Sequence, residues 1–129
     1  MEQYRFAAYA SARRIRDAHR QAGELLFQLG VTPHTTGFDI LRDGARLIAD
    51  SDRNRHLKMT EELYPAIGAI YCQSGSGIEH AVRDAVRTAW QREDAERPVI
   101  CTGSGTPGNA ALLYALAEQI RICKARTDC

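Results

Sequence analysis

Between Gln73 and Arg92 the chain carries Ser74, Ser76, Glu79, His80, Arg83, Asp84 and Arg87, interleaved with Ile78, Ala81, Val82, Ala85, Val86, Ala89 and Trp90. The apolar set recurs at the 3.6-residue period of a helix, so the polar set shares the opposite face. These residue types suit reversible recognition better than bond-making. A guanidinium such as Arg83 can donate to guanine O6 and N7 together, and a carboxylate such as Glu79 can accept from cytosine N4. Ser74, Ser76 and the amides at the helix start can hold a phosphate, favoured by the helix dipole. His80 suits a phosphate or a base edge. Asp84 repels phosphate and can pair with Arg83, Arg87 or Thr88 nearby. Each has a plainer reading: Arg83, Arg87 and His80 as solvated side chains, and Glu79 as the partner of Ser76 in a capping box.

Other residue groups carry less. Gly103-Ser-Gly-Thr-Pro-Gly108 lacks the Lys-Ser/Thr ending of a phosphate loop and has no useful strand before it. Cys72, Cys101, Cys123 and Cys129 form no CxxC pair or zinc spacing and read as reduced thiols. No catalytic set, metal site or cofactor is expected.

The elements that position the polar face follow from periodicity. Residues 61–92 read as a short helix with Pro65 in its first turn, a tight turn and a longer helix beginning near Ser76. That is a helix-turn-helix, whose second helix enters a DNA major groove. Upstream, residues 3–29 read as helix, with Ile15, Ala18, Ala22, Leu25 and Leu29 in one stripe. Gly23 is a place for that helix to begin afresh. Gly30 and Pro33 stop it. Thr36 with Asp39 marks the next start, and Phe38 to Ala49 supply a broad apolar face. A short helix is expected over Leu57–Leu63, a loop over Asp94–Gly108, and a last helix opened by Thr106 and Pro107 that frays after Lys124. Pro98-Val-Ile-Cys-Thr102 is too short for a strand pair. The fold class is all-α, with about six helices in one bundle-like domain. Burying Ile78, Val82, Val86 and Trp90 contributes roughly 6–12 kcal/mol gross, an upper figure, and makes the helix from Ser76 the expected centre of the core.

The chain has 129 residues, 44% of them apolar, enough for about one domain with a real core. It has no apolar run of membrane length and no signal-peptide h-region near its start, so a cytoplasmic location is expected. The net charge is only +1. Over residues 73–92, Arg83, Arg87 and Arg92 stand against Glu79 and Asp84, again net +1. Phosphate neutralisation drives most affinity for DNA, so the sequence-independent part should be small.

In order along the chain stand Leu29-Gly-Val-Thr-Pro-His-Thr-Thr-Gly-Phe38, Leu41-Arg-Asp-Gly-Ala45, Leu63-Tyr-Pro-Ala-Ile67, Ile78-Glu-His-Ala-Val-Arg-Asp-Ala85, Thr88-Ala-Trp90 and Pro107-Gly-Asn109. Together they resemble the C-terminal DNA-binding effector domain of the sporulation stage-zero response regulator A family. The resemblance runs from about Leu25 to Ile122. It implies a six-helix domain whose helix-turn-helix reads double-stranded promoter DNA, with contacts to RNA polymerase. Because one helix reads only a few base pairs, two copies on adjacent sites are expected. Residues 1–24 then form a helical extension and 25–129 the effector domain. The family's receiver is not among those 24 residues, so phosphorylation by that route is not expected of this chain.

Glu79 and Arg83 fall on matching positions. Gly77, His80 and Asp84 stand where the resemblance implies basic residues or His, and Thr36 where it implies Lys. His34 matches a position near the DNA backbone, and Arg42 and Arg46 can add to a basic surface. The expected DNA-contacting set is His34, Thr36, Ser74, Ser76, Gly77, Glu79, His80, Arg83 and Arg87. The alternative is a protein-interaction module on the same fold that has lost sequence-specific DNA binding. A continuous positive stripe through His34, Arg42, Arg83 and Arg87 favours the first; a patchwork of signs favours the second. Val82→Asp places a charge on the apolar face and should unfold the domain; a soluble variant that melts cooperatively would refute that assignment of faces.

Overall fold

Thr35 has extended backbone angles (φ −101°, ψ 155°), and its side-chain oxygen accepts from the Phe38 amide at 3.2 Å. It is therefore the N-cap of a helix that starts one residue later. In the computed structural model, which describes residues 2–52, 56–92 and 106–127, the helices are α1 (Glu2–Leu29), α2 (Thr36–Asp50), α3 (Tyr64–Tyr71), α4 (Gly75–Gln91) and α5 (Asn109–Thr127). A π-helical turn, Met59–Leu63, runs directly into α3. The fold is all-α, with no strand among the described residues. The segment Pro98–Thr102 and most of the expected Asp94–Gly108 loop lie outside those residues. No helix among the described residues is long and apolar enough to cross a membrane.

Several element ends differ from the sequence expectation, each for a local reason. α1 does not restart at Gly23. That glycine instead faces Phe38 of α2, whose ring edge would stand 3.7 Å from an added Cβ. Thr36 is the first residue of α2 rather than its cap. The short helix begins at Met59, not Leu57, because the Tyr114 hydroxyl takes both backbone groups of Leu57: it accepts from the amide at 2.9 Å and donates to the carbonyl at 3.1 Å. Glu62 then returns its carboxylate to the Lys58 amide at 3.2 Å. Pro65 has no amide to continue an ordinary ladder, and the turn before it is closed by the wider Leu63 amide to Lys58 carbonyl bond. At the far end, α5 continues past Lys124 to Thr127.

The centre of packing is α2, not α4. α2 contacts all four other helices. Ile40, Leu41 and Ala45 are fully buried in it. Gly44 lets Ile67 and Leu113 approach: their methyls would lie 3.1 and 3.2 Å from an added Cβ. α4 buries Ile78, Val82, Val86 and Ala89 as expected, whereas Trp90 is half-buried at the edge of the core.

With its apolar residues turned inward on every side, α2 places its charges at its rims. Arg42 lies over the Phe38 ring, 5.7 Å from its centre, and donates to Asp39 at 3.0 Å. Arg46 lies 3.1 Å from Nδ1 of His19 on α1. Burial, followed by the Arg42 and Arg46 charges, holds the His19 pKa below its ordinary value, which suits an imidazole that accepts from Arg46. At the C-terminus of α2, Arg121 of α5 donates to the carbonyls of Ile48 (2.6 Å), Ser51 (3.1 Å) and Ala49 (3.2 Å). Its side chain is only 14% exposed, so water is a poor substitute for these contacts. Arg121→Met should therefore cost ~1–3 kcal/mol in urea denaturation, and Arg121→Lys should recover only part, because a single ammonium cannot reproduce the guanidinium fork.

Candidate nucleic-acid interface

The turn between α3 and α4 is set by one close approach. Cys72 ends α3 in the left-handed region (φ 56°, ψ 43°), and the amides of Cys72 and Gln73 both turn back to the Gly68 carbonyl. This places the Gln73 carbonyl against Gly68, only 2.3 Å from where a Cβ would be. Any side chain at residue 68 therefore pushes the turn apart. Two hydroxyl-linked contacts hold α3 to its neighbours. Tyr71 donates to Asp43 of α2 at 2.5 Å, and burial with the nearby carboxylate raises its pKa. Tyr64 faces the side chain of Asn109 at the start of α5, and burial, outweighing the lowering effect of Asn109, raises its pKa too.

α4 starts at Gly75, and its cap is Ser74, whose hydroxyl accepts from the Gly77 amide at 3.1 Å. The capping box expected of Ser76 and Glu79 is not formed. Ser76 sits one residue inside the helix, its hydroxyl 3.3 Å from that of Ser74. A Cβ on Gly77 would lie 3.3 Å from the Ser74 hydroxyl, so the glycine leaves room for the cap. Glu79 is instead the partner of Arg83, one turn on. Asp84 takes Arg87 through one carboxylate oxygen, and His80 Nε2 lies 3.3 Å from the other.

Ser76, His80, Arg83 and Arg87 are exposed and Glu79 half-exposed, so the structure brings five of the expected residues onto one accessible side of α4. His34 comes from the α1–α2 connection, and Thr36 is the first residue of α2. His34 is exposed and has φ 65°, an uncommon conformation for a non-glycine residue. Its neighbours Thr32 and Thr35 border a cleft of about 290 Å³ whose other wall includes Ala81, Asp84 and Thr88 of α4. Gly37 fixes that separation, since an added Cβ would stand 2.7 Å from the Ala85 methyl.

Arg42 and Arg46 do not join this surface; their contacts are with Phe38, Asp39 and His19. The outer face of α4 thus alternates acid and base, with no continuous positive stripe through Arg42. On its other flank, a cleft of about 330 Å³ brings Thr60, Pro107 and Asn109 beside Glu79 and Arg83. No periodicity links these three to α4, and sequence spacing could not have found them.

Among the described residues no polar or charged side chain is fully buried, and no group of His, Cys, Asp and Glu is placed to hold a metal ion. The chemistry offered there is surface recognition by hydrogen bonds and charge. A family model described as sporulation initiation factor Spo0A C terminal matches residues 23–120. Gly68→Ala should lower stability by roughly 1–3 kcal/mol, the usual cost of overpacking, read as a lower urea midpoint.

Proposed function

This chain belongs to the sporulation initiation factor Spo0A C-terminal family, whose members are DNA-binding transcription-factor domains rather than enzymes, and we propose on that footing that it reads promoter DNA with α4. The observation that carries the proposal is the two-sidedness of α4. Ile78, Val82, Val86 and Ala89 anchor one face in the core. Ser76, Glu79, His80, Arg83 and Arg87 stand on the accessible side. A helix held this way after a tight turn can lie in a major groove without losing its packing.

In this reading Arg83 is the base reader, with guanine O6 and N7 as its acceptors, and Glu79 exchanges Arg83 for a cytosine amine. His34 and Thr36 flank the groove and approach the backbone, and Arg87 approaches a phosphate. Gly77 lets the helix start come near the DNA. Ser74 is committed to its cap and supports the site by fixing the helix start. A single α4 covers few base pairs, so two copies on adjacent sites are part of the proposal. So are contact with RNA polymerase, a cytoplasmic location, and a division into an extension (1–24) and an effector domain (25–129).

A second reading, a protein-interaction module on the same fold, is favoured by the alternation of charge along α4. Fluorescence anisotropy separates the two. The protein is titrated against a duplex carrying the family's promoter element and against a scrambled duplex, each at two salt concentrations. Tighter binding to the element that weakens with salt is expected, and no binding at low salt favours the second reading. Arg83→Ala should cost ~1–3 kcal/mol of binding to the element and little on the scrambled duplex; unchanged binding would remove Arg83 from the interface.

A further inference from the structure

We propose that Asp84 is a built-in competitor of the DNA backbone, a specificity-determining residue that suppresses binding to duplexes lacking the right sequence. This rests on the reading of α4 as the DNA-contacting helix. Both oxygens of the Asp84 carboxylate are engaged: Oδ1 accepts from Nη2 of Arg87, and Oδ2 lies 3.3 Å from Nε2 of His80. One carboxylate thus occupies two of the groups that α4 offers to a phosphate.

The partners are 60% and 75% exposed, and ion pairs this open to water are weak enough to exchange. A phosphate approaching Arg87 must displace Asp84 and also meets its negative charge. Binding without sequence preference depends almost wholly on phosphate contacts, so it bears most of this cost. Base contacts made elsewhere on the helix, such as those of Arg83, are less affected.

The geometry also gives the carboxylate somewhere to go. Asp84 borders the cleft of about 290 Å³ shared with Thr32 and Thr88, whose hydroxyls can donate to it when Arg87 is released, while the Thr35 hydroxyl there already donates to the Thr32 carbonyl. Glu79 differs, because it lines the opposite cleft with Arg83 and can itself serve as a base acceptor. The result is a helix whose discrimination comes from a repulsive residue as well as attractive ones.

The test compares the wild-type chain with Asp84→Asn, Arg87→Ala and the double variant, after matching helicity by circular dichroism. Asp84→Ser replaces the Asn variant should that fail to fold. Anisotropy is measured on a mixed-sequence duplex and on one carrying the family's promoter element, across a salt series. Asp84→Asn should tighten binding to the mixed duplex at least ~3-fold, more than to the element. It should also steepen the salt dependence by about one unit, as one added phosphate contact requires. The gain should vanish in the Arg87→Ala background.

Glu24→Gln makes the same charge change on α1, where Glu24 pairs with Arg20. An equal gain from that control, or a gain that survives Arg87→Ala, would overturn the proposal in favour of bulk charge. So would unchanged binding in a wild type that does bind. If neither wild type nor Asp84→Asn binds either duplex at low salt, the DNA reading itself fails and takes this one with it. Binding that appears only in Asp84→Asn would overturn the proposal as well, since a residue that also blocks the element does not discriminate between duplexes.

Discussion

A helix packed by neighbours on all sides has little room for charge, and this constraint on α2 shapes the rest of the domain. Its four neighbours claim its apolar residues. Its arginines are therefore confined to the rims, where Arg42 covers Phe38 and Arg46 meets His19. Its last carbonyls, which have no partners within the helix, are served by Arg121 from α5. Gly37 and Gly44 let α4, α3 and α5 come close enough to seal it. The pair α3 and α4 is then an attachment to α2, held by Tyr71 on Asp43 and by small residues at Gly37 and Ala85.

This division of labour separates stability from recognition. The side chains that hold the scaffold together are apolar or engaged in hydrogen bonds at helix rims. Those on the outer face of α4 pair mainly with one another. Such pairs lie at three- and four-residue spacing, where they stabilise a helix slightly and keep their side chains ordered. The surface therefore carries recognition chemistry without a large positive field, in keeping with the small net charge.

Much of the fold was legible in the sequence because amphipathic periodicity is strong in α1, α2 and α4. Helix starts were less legible. Thr35 and Thr36, or Ser74 and Ser76, are equally good caps by type, and backbone angles choose between them. Leu57 was read as helical because the tie that holds it out comes from Tyr114, far along the chain. Arg42 and Arg46 looked like surface cations because their spacing cannot reveal an aromatic ring or a histidine from α1 behind them. In the candidate site, periodicity gathered the α4 residues correctly onto one side. It could not foresee Thr60 and Asn109, which reach that face through the packing of the π-helical turn and of α5 against α4.

The tie between Arg92 and the Gly30 carbonyl, at 3.3 Å, has a mechanical meaning. It joins the end of α4 to the end of α1, which is 28 residues long and so about 42 Å from end to end. The ends of α4 and α1 therefore meet at one junction, from which the long arm of α1 runs back over α2 and α5.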